Sequence, residues 1–402
     1  MAQSKLNPAC HSDAGVYHSP ALPAGHHYQV VALVLQGGGA LGAYQAGVYQ
    51  GLAEARLHPN WVAGISIGAL NAAIIAGNPP EQRAEKLEQF WHTISRQPLL
   101  PPSPHNLLNL GHALPSAMQT LFNGWEAWRA LTEGQNGFFV PRQLLGADSL
   151  LQPGNASFYD TSPLKSTLES LVDFDRLNDS GEMRVSVGAV HVKSGNFVYF
   201  DNTQTRLRAE HFMASGALPP GFPAVEIDGE HYWDGGMVSN TPLQQVLAGK
   251  PRKNSLVFQV DLWNASGEPP TDLSKVTQRQ KEIQYSSRTR MITDYMAQTQ
   301  RFRRLLREVM ELVPEDRAHS PAYQRAAEQA CDRVFNVIHL IYQDSPCEGH
   351  YKDFQFSAST MREHWQSGLL DIRHSLSHPE WLHMPPANQP FTTHDVHRLS
   401  GR

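Results

Sequence analysis

Three short segments hold residue types that can do chemistry together. The first is Gly37-Gly38-Gly39-Ala40-Leu41-Gly42. Glycines let backbone amides approach a ligand closely, and a helix starting there adds unpaired N–H groups and a positive dipole end. Such a loop suits a phosphate or a transient oxyanion. It also fits the Gly-x-Gly-x-x-Gly pattern of dinucleotide sites, which expects an acidic residue about 20 positions on. The next strand instead ends in Val62-Ala63-Gly64-Ile65-Ser66, without an acid. In its place stands the second segment, Gly64-Ile65-Ser66-Ile67-Gly68, between a short strand and an alanine-rich helix. A sharp strand-to-helix turn of this kind exposes a serine hydroxyl, and the flanking glycines remove side chains that would clash. A serine nucleophile needs a base. The third segment, Tyr232-Trp233-Asp234-Gly235-Gly236, offers one, because two glycines after an acid permit a tight turn that fixes its carboxylate. A solvated Asp-Gly turn is the plainer alternative.

The surrounding pattern says what would position these segments. Tyr28–Gln36 reads as a buried strand, Ala40–Arg56 as a helix and Trp61–Gly64 as a second strand. Ile67–Ala76 and Glu81–Arg96 read as helices. Strand and helix alternating through tight connections predict parallel βαβ units. Two adjacent βα turns would bring the serine and the amide donors to one sheet edge. Met183–Val190 and Asn196–Phe200 read as strands, Val225–Trp233 as a hairpin turning at Asp228-Gly229, and Asn254–Trp263 as another buried strand. After Gly267, Pro269 and Pro270 the character changes. Leu273–Val313 reads as one long helix or a broken pair, and Pro321–Tyr342 and Thr360–Ser377 as further helices.

Composition narrows the function classes. With 41% hydrophobic and 18% charged residues, the 402-residue chain can build a packed core. A net charge of −5 excludes a generally basic nucleic-acid binder. The three cysteines, Cys10, Cys331 and Cys347, are too few and too scattered for a disulfide framework or a four-cysteine zinc site. No stretch approaches the roughly 20 apolar residues of a membrane span, and Met1–Gly25 lacks the apolar run of a secretory signal. The expected location is cytoplasmic.

In the order Gly-Gly-Gly-x-x-Gly, Gly-x-Ser-x-Gly, Asp-Gly-Gly, the chain resembles the patatin-like phospholipases. The stretch Ala214–Val225 is similar to the one that precedes their Asp-Gly-Gly turn, so the resemblance runs from about 37 to 242. The Met361-Arg362-Glu363-His364-Trp365 region and the tail resemble an extension found in one bacterial subgroup. The resemblance implies a three-layer α/β sandwich with a mainly parallel central sheet over 29–262, preceded by a flexible leader (1–28) and followed by a helical extension (265–402). It implies hydrolysis of lipid acyl esters by a Ser66–Asp234 dyad, without metal or cofactor. Oxyanion donors would come from Gly37, Gly38, Gly39 and Ile67, and Gly42, Gly64, Gly68, Gly235 and Gly236 would shape the turns. One position departs from the pattern: Leu41 stands where family members often carry Arg or Lys.

Rival readings attach to particular residues. A Ser-His-Asp triad would draw its histidine from His319, His339, His350 or His364, none in a matching motif. His374/His378 and His394/His397 have metal-like spacings but no third ligand nearby. The insertion 97–146, with Phe122, Trp125, Trp128, Phe138 and Phe139, reads as core packing or as a lid. From Thr271 to Val313 there are 9 Lys or Arg against 5 Asp or Glu, with apolar residues recurring at helical spacing. That helix either docks on the catalytic domain or lies on an anionic membrane. A non-catalytic membrane-associated or scaffold protein retaining the fold, and an esterase acting on neutral or hydroxyacyl esters, are the remaining alternatives.

Overall fold

In the computed structural model the described residues are 28–95, 129–142, 155–344, 348–349, 351–386 and 388–399, with the side chains of 287–290 and 398–399 excepted. The expected leader through residue 27, Phe122, Trp125, Trp128, His350, Cys10 and Cys347 lie outside them, as do the side chains of Arg288 and Arg290.

Nine strands form one twisted sheet. In chain order these are β1 (Val30–Leu35), β2 (Trp61–Ile65), β5 (Arg184–His191), β6 (Phe197–Asp201), β7 (Val225–Ile227), β8 (Glu230–Asp234), β9 (Ser255–Asp261), β10 (Phe335–Ile341) and β11 (Phe391–Asp395). A separate two-strand ribbon pairs β3 (Val140–Pro141) with β4 (Tyr159–Asp160). The spatial order is β11-β10-β9-β1-β2-β5-β8-β7, with β6 also paired to β5. The six strands from β11 to β5 run parallel; β6 and β8 each pair antiparallel with β5, and β7 pairs antiparallel with β8.

Strand alternation sorts side chains into two layers. Val31, Leu33 and Leu35 join the core shared with helices Ala43–Glu54, Ile67–Ala76 and Ala358–Leu376. Val30, Ala32 and Val34 face the opposite side, beneath Leu243–Ala248 and Met296 of the 39-residue helix Leu273–Glu311. The result is a mostly parallel sheet between two helical layers.

Two expectations about the extension change. The reading of Pro321–Tyr342 as one helix is wrong: the helix ends at Gln329 and Phe335–Ile341 is a strand. A short apolar run cannot be assigned by periodicity alone, and here β-branched Val337 and Ile338 sit flush against β9. The extension also continues the catalytic sheet through β10 and β11, so helices are only part of it. Helix Ala358–Leu376 packs closely on Ala43–Glu54, where a Cβ on Gly47 would lie 1.9 Å from the Trp365 carbonyl oxygen.

The long helix is unbroken and docks by one face. Met296 and Gln300 are buried, while Met291, Tyr295, Phe302, Leu305 and Val309 on other faces stay exposed. Among the described residues no helix is long and apolar enough to cross a membrane.

Candidate active site

The site forms at the carboxyl ends of β1, β2 and β9. Strand order reverses direction around β1, which leaves a crevice there. Ser66 ends β2 and caps helix Ile67–Ala76 with φ 56° and ψ −127°. A non-glycine residue at positive φ is strained, and the surrounding packing must enforce it. Close packing does so: a Cβ on Gly64 would sit 2.3 Å from the Gly68 carbonyl oxygen, and one on Gly68 would sit 2.4 Å from that of Leu35. Ser215 adds a pin. Its buried hydroxyl accepts from the Ser66 amide at 2.9 Å and donates to the Gly188 carbonyl at 2.6 Å.

Removing that pin strands both backbone groups. Ser215→Ala is expected to destabilise the fold by about 1–3 kcal/mol and to lower kcat for ester hydrolysis roughly tenfold or more through a looser elbow. Thermal melts and steady-state kinetics check it; a kcat within twofold of wild type would mean the elbow needs no such support.

Asp234 ends β8 and is 3% exposed. Its carboxyl accepts from the Gly236 amide at 2.7 Å and shares the cleft with Ser66. Burial drives its pKa up to about 7, against the opposing pull of Ser66 and the Gly236 amide. Asp234 is therefore no solvated turn residue. The hairpin before it turns at Asp228 and Gly229, both at positive φ.

The glycine loop divides its labour. Gly37 is not an available donor, which corrects the reading that placed it among the oxyanion amides. Its N–H donates to the Asn240 carbonyl at 3.2 Å. Its own carbonyl accepts from Asn240 Nδ2 at 3.0 Å and Trp263 Nε1 at 2.9 Å. Gly38 and Gly39 are half-buried, and neither amide donates to a partner among the described residues. Gly39 must be glycine: its φ is +57°, and a Cβ would lie 2.2 Å from the Asp353 carbonyl oxygen. The Ile67 amide stands at the first turn of its helix, where N–H groups are unpaired and the dipole is positive.

One cleft gathers most of these groups. Gly37, Gly38, Gly39, Ser66, Ile67, Asp234 and Gly236 line it, while Gly42, Gly64, Gly68 and Gly235 shape the turns behind. Its apolar wall holds Leu70, Phe138, Phe139, Leu218, Phe222 and Phe356. Phe138 lies 5.7 Å from Phe222 and 5.8 Å from Phe356 between ring centroids. The two insertion aromatics that are described thus pack and line the cleft at once. The opposite wall comes from Trp263, Tyr285, Asp353 and Phe354.

Sequence reasoning missed that second wall, as well as Asn240 and Gln36. Gln36 Oε1 accepts from the amides of Leu262 and Trp263 and ties the end of β1 to the end of β9. A glutamine just before the glycine run was the available signal.

No described histidine lines the cleft. His339 pairs with Asp261 below the loop, His364 with buried Glu348, and His319 is exposed. Nor is there, among the described residues, a group of three or more metal-ligating side chains. His378 stacks on Trp381 and His397 pairs with Asp371.

Fold and site together define an α/β protein in which an elbow serine meets a buried carboxylate beside a glycine-rich amide loop. The sequence model described as Patatin-like phospholipase matches residues 33–247, just over half of the chain, and the chain belongs to that family. A second model, described as Patatin phospholipase, matches residues 283–388 within the extension. A triacylglycerol lipase of Arabidopsis thaliana, SDP1L, is 35% identical over 69 residues, which are 17% of this chain and 9% of that lipase. Among solved structures, VipD of Legionella pneumophila aligns at 15% identity and a TM-score of 0.36, over 87% of this chain and 67% of its own. Human GIVD cytosolic phospholipase A2 aligns at 14% identity and a TM-score of 0.31, over 57% and 42%.

Proposed function

We propose that this protein hydrolyses lipid acyl esters, with Ser66 as nucleophile and Asp234 as base. The observation that carries the reading is a strained elbow serine lining the same cleft as a buried carboxyl whose pKa lies at about 7. A base poised there is half ionised near neutrality and can return the proton it takes. Membership in the family and the matched segment of a triacylglycerol lipase support the lipid class.

Attack by Ser66 Oγ on the acyl carbonyl passes its proton to Asp234. The carbonyl oxygen becomes an oxyanion that the Gly38, Gly39 and Ile67 amides can meet without reorganising. Asp234 then protonates the departing alcohol oxygen. Water, deprotonated by the same carboxylate, attacks the acyl-enzyme and releases the fatty acid. The aromatic and aliphatic wall gives the acyl chain a dry place to lie.

A fluorophosphonate probe followed by peptide mass spectrometry tests the assignment. The adduct is expected on the peptide containing Ser66, together with fatty-acid release from a panel of lipid esters. Absence of both would leave a scaffold that keeps the fold.

A further inference from the structure

The cleft has two chemically different sides, and the second is made largely by the extension. Tyr285 comes from the long helix, and Asp353 and Phe354 from the segment just before helix Ala358–Leu376. The Asp353 backbone sits directly on Gly39 of the amide loop. An ester bound with its carbonyl at that loop and its acyl chain among the phenylalanines directs its alcohol portion towards this wall.

Among the described residues lining the cleft there is no Lys, Arg or His, while Asp353 adds a second carboxyl to that of Asp234. The nearest cations are engaged. Lys281 Nζ holds both carboxylate oxygens of Asp353 at 2.9 Å and lies 4.7 Å from the centre of the Phe354 ring. Lys352, 1% exposed in its side chain, contacts Glu282 at 3.2 Å and Asp344 at 2.6 Å. Arg279 holds Glu282 at 3.0 Å. Leu41, in the amide loop, is fully buried and apolar.

A phosphate head group brought to this wall would lose water and meet no free cation among the described lining residues, an uncompensated desolvation. An uncharged alcohol suffers neither penalty. We infer that the extension makes this site selective for esters of uncharged alcohols, such as acylglycerols, over anionic phospholipids, with Asp353 as the specificity-determining residue. The inference rests on the acylhydrolase reading above.

The test compares kcat/KM for dioleoylglycerol and for dioleoyl phosphatidylglycerol, matched in acyl chains and presented in the same neutral detergent micelles. Wild type is expected to favour the neutral ester by about tenfold or more. Asp353→Asn, which removes the carboxylate that Lys281 holds, is expected to shrink that ratio several-fold, chiefly through a lower KM for the anionic lipid. Lys281→Met keeps the carboxyl without its cation and should widen the ratio, which serves if Asp353→Asn does not fold. Equal or faster cleavage of the anionic lipid, or ratios unmoved in whichever variants fold, would overturn the selectivity while leaving the hydrolase reading intact. Hydrolysis of neither lipid above a Ser66→Ala background, with no probe adduct, would overturn both.

Discussion

Ser66→Ala is expected to lower ester hydrolysis by about 10⁴-fold or more and to abolish fluorophosphonate labelling, with the fold retained. Ser66 ends a buried strand and caps a buried helix, so its hydroxyl is the atom that the whole elbow presents to the cleft. Removing that oxygen deletes the only nucleophile that reaches both Asp234 and the free amides among the described lining residues. It does not disturb the backbone, because the pin from Ser215 acts on the Ser66 amide and not on its side chain. Circular dichroism and thermal melts should therefore match wild type while turnover disappears. A variant keeping more than about 1% of wild-type kcat would move the nucleophile elsewhere.

The second large effect has two signs. Asp234→Asn is expected to cut kcat/KM by about 10³-fold or more, since the amide cannot accept the serine proton. The same change is expected to stabilise the fold at neutral and alkaline pH. An unfolded Asp234 titrates near the ordinary 3.8, whereas burial holds the folded group at about 7. Between these values the folded state keeps a proton that the unfolded state has released. Stability therefore falls as pH rises from about 4 to 7, and the penalty is complete above 7. At about 1.4 kcal/mol per pKa unit it is on the order of a few kcal/mol. Asparagine has no charge to bury. Its stabilising effect should be clear at pH 8 and vanish below about pH 4, as denaturant melts at the two pH values would show. Wild-type kcat/KM should rise with pH through a limb near 7. A limb near 4, or no stabilisation at pH 8, would mean that the carboxylate is hydrated in the resting enzyme.

Much of this site was legible because its geometry is local. Strand, glycine turn and helix lie within a few residues of one another at Gly37–Gly39 and at Gly64–Gly68. Their pattern can be read without knowing what packs on them. Ile67–Ala76 matches its expected bounds because Ser66 and Gly77 punctuate it. The donor role of Gly37 was not legible, because a contact with Asn240, 203 residues away, decides it. The same holds for Tyr285 and Asp353. Nothing in their neighbours' spacing says that they face Ser66; the docking of the extension does. β10 escaped for a related reason, since its seven residues, apolar apart from Asn336 and His339, become a strand only when β9 offers them an edge.

That edge has a consequence for how the protein is made. β9 lies between β1 and β10, yet β10 ends 80 residues after β9 does. At synthesis rates of about 5–20 residues per second, the nascent chain waits roughly 4–16 s with one side of a strand that is fully buried in the folded protein unpaired. Open edges of this kind recruit other strands. The ribosome thus releases the parts of the Ser66–Asp234 site before it releases the strand that closes the sheet beside them. Slowed translation between 262 and 334 is where aggregation of the growing polypeptide would begin.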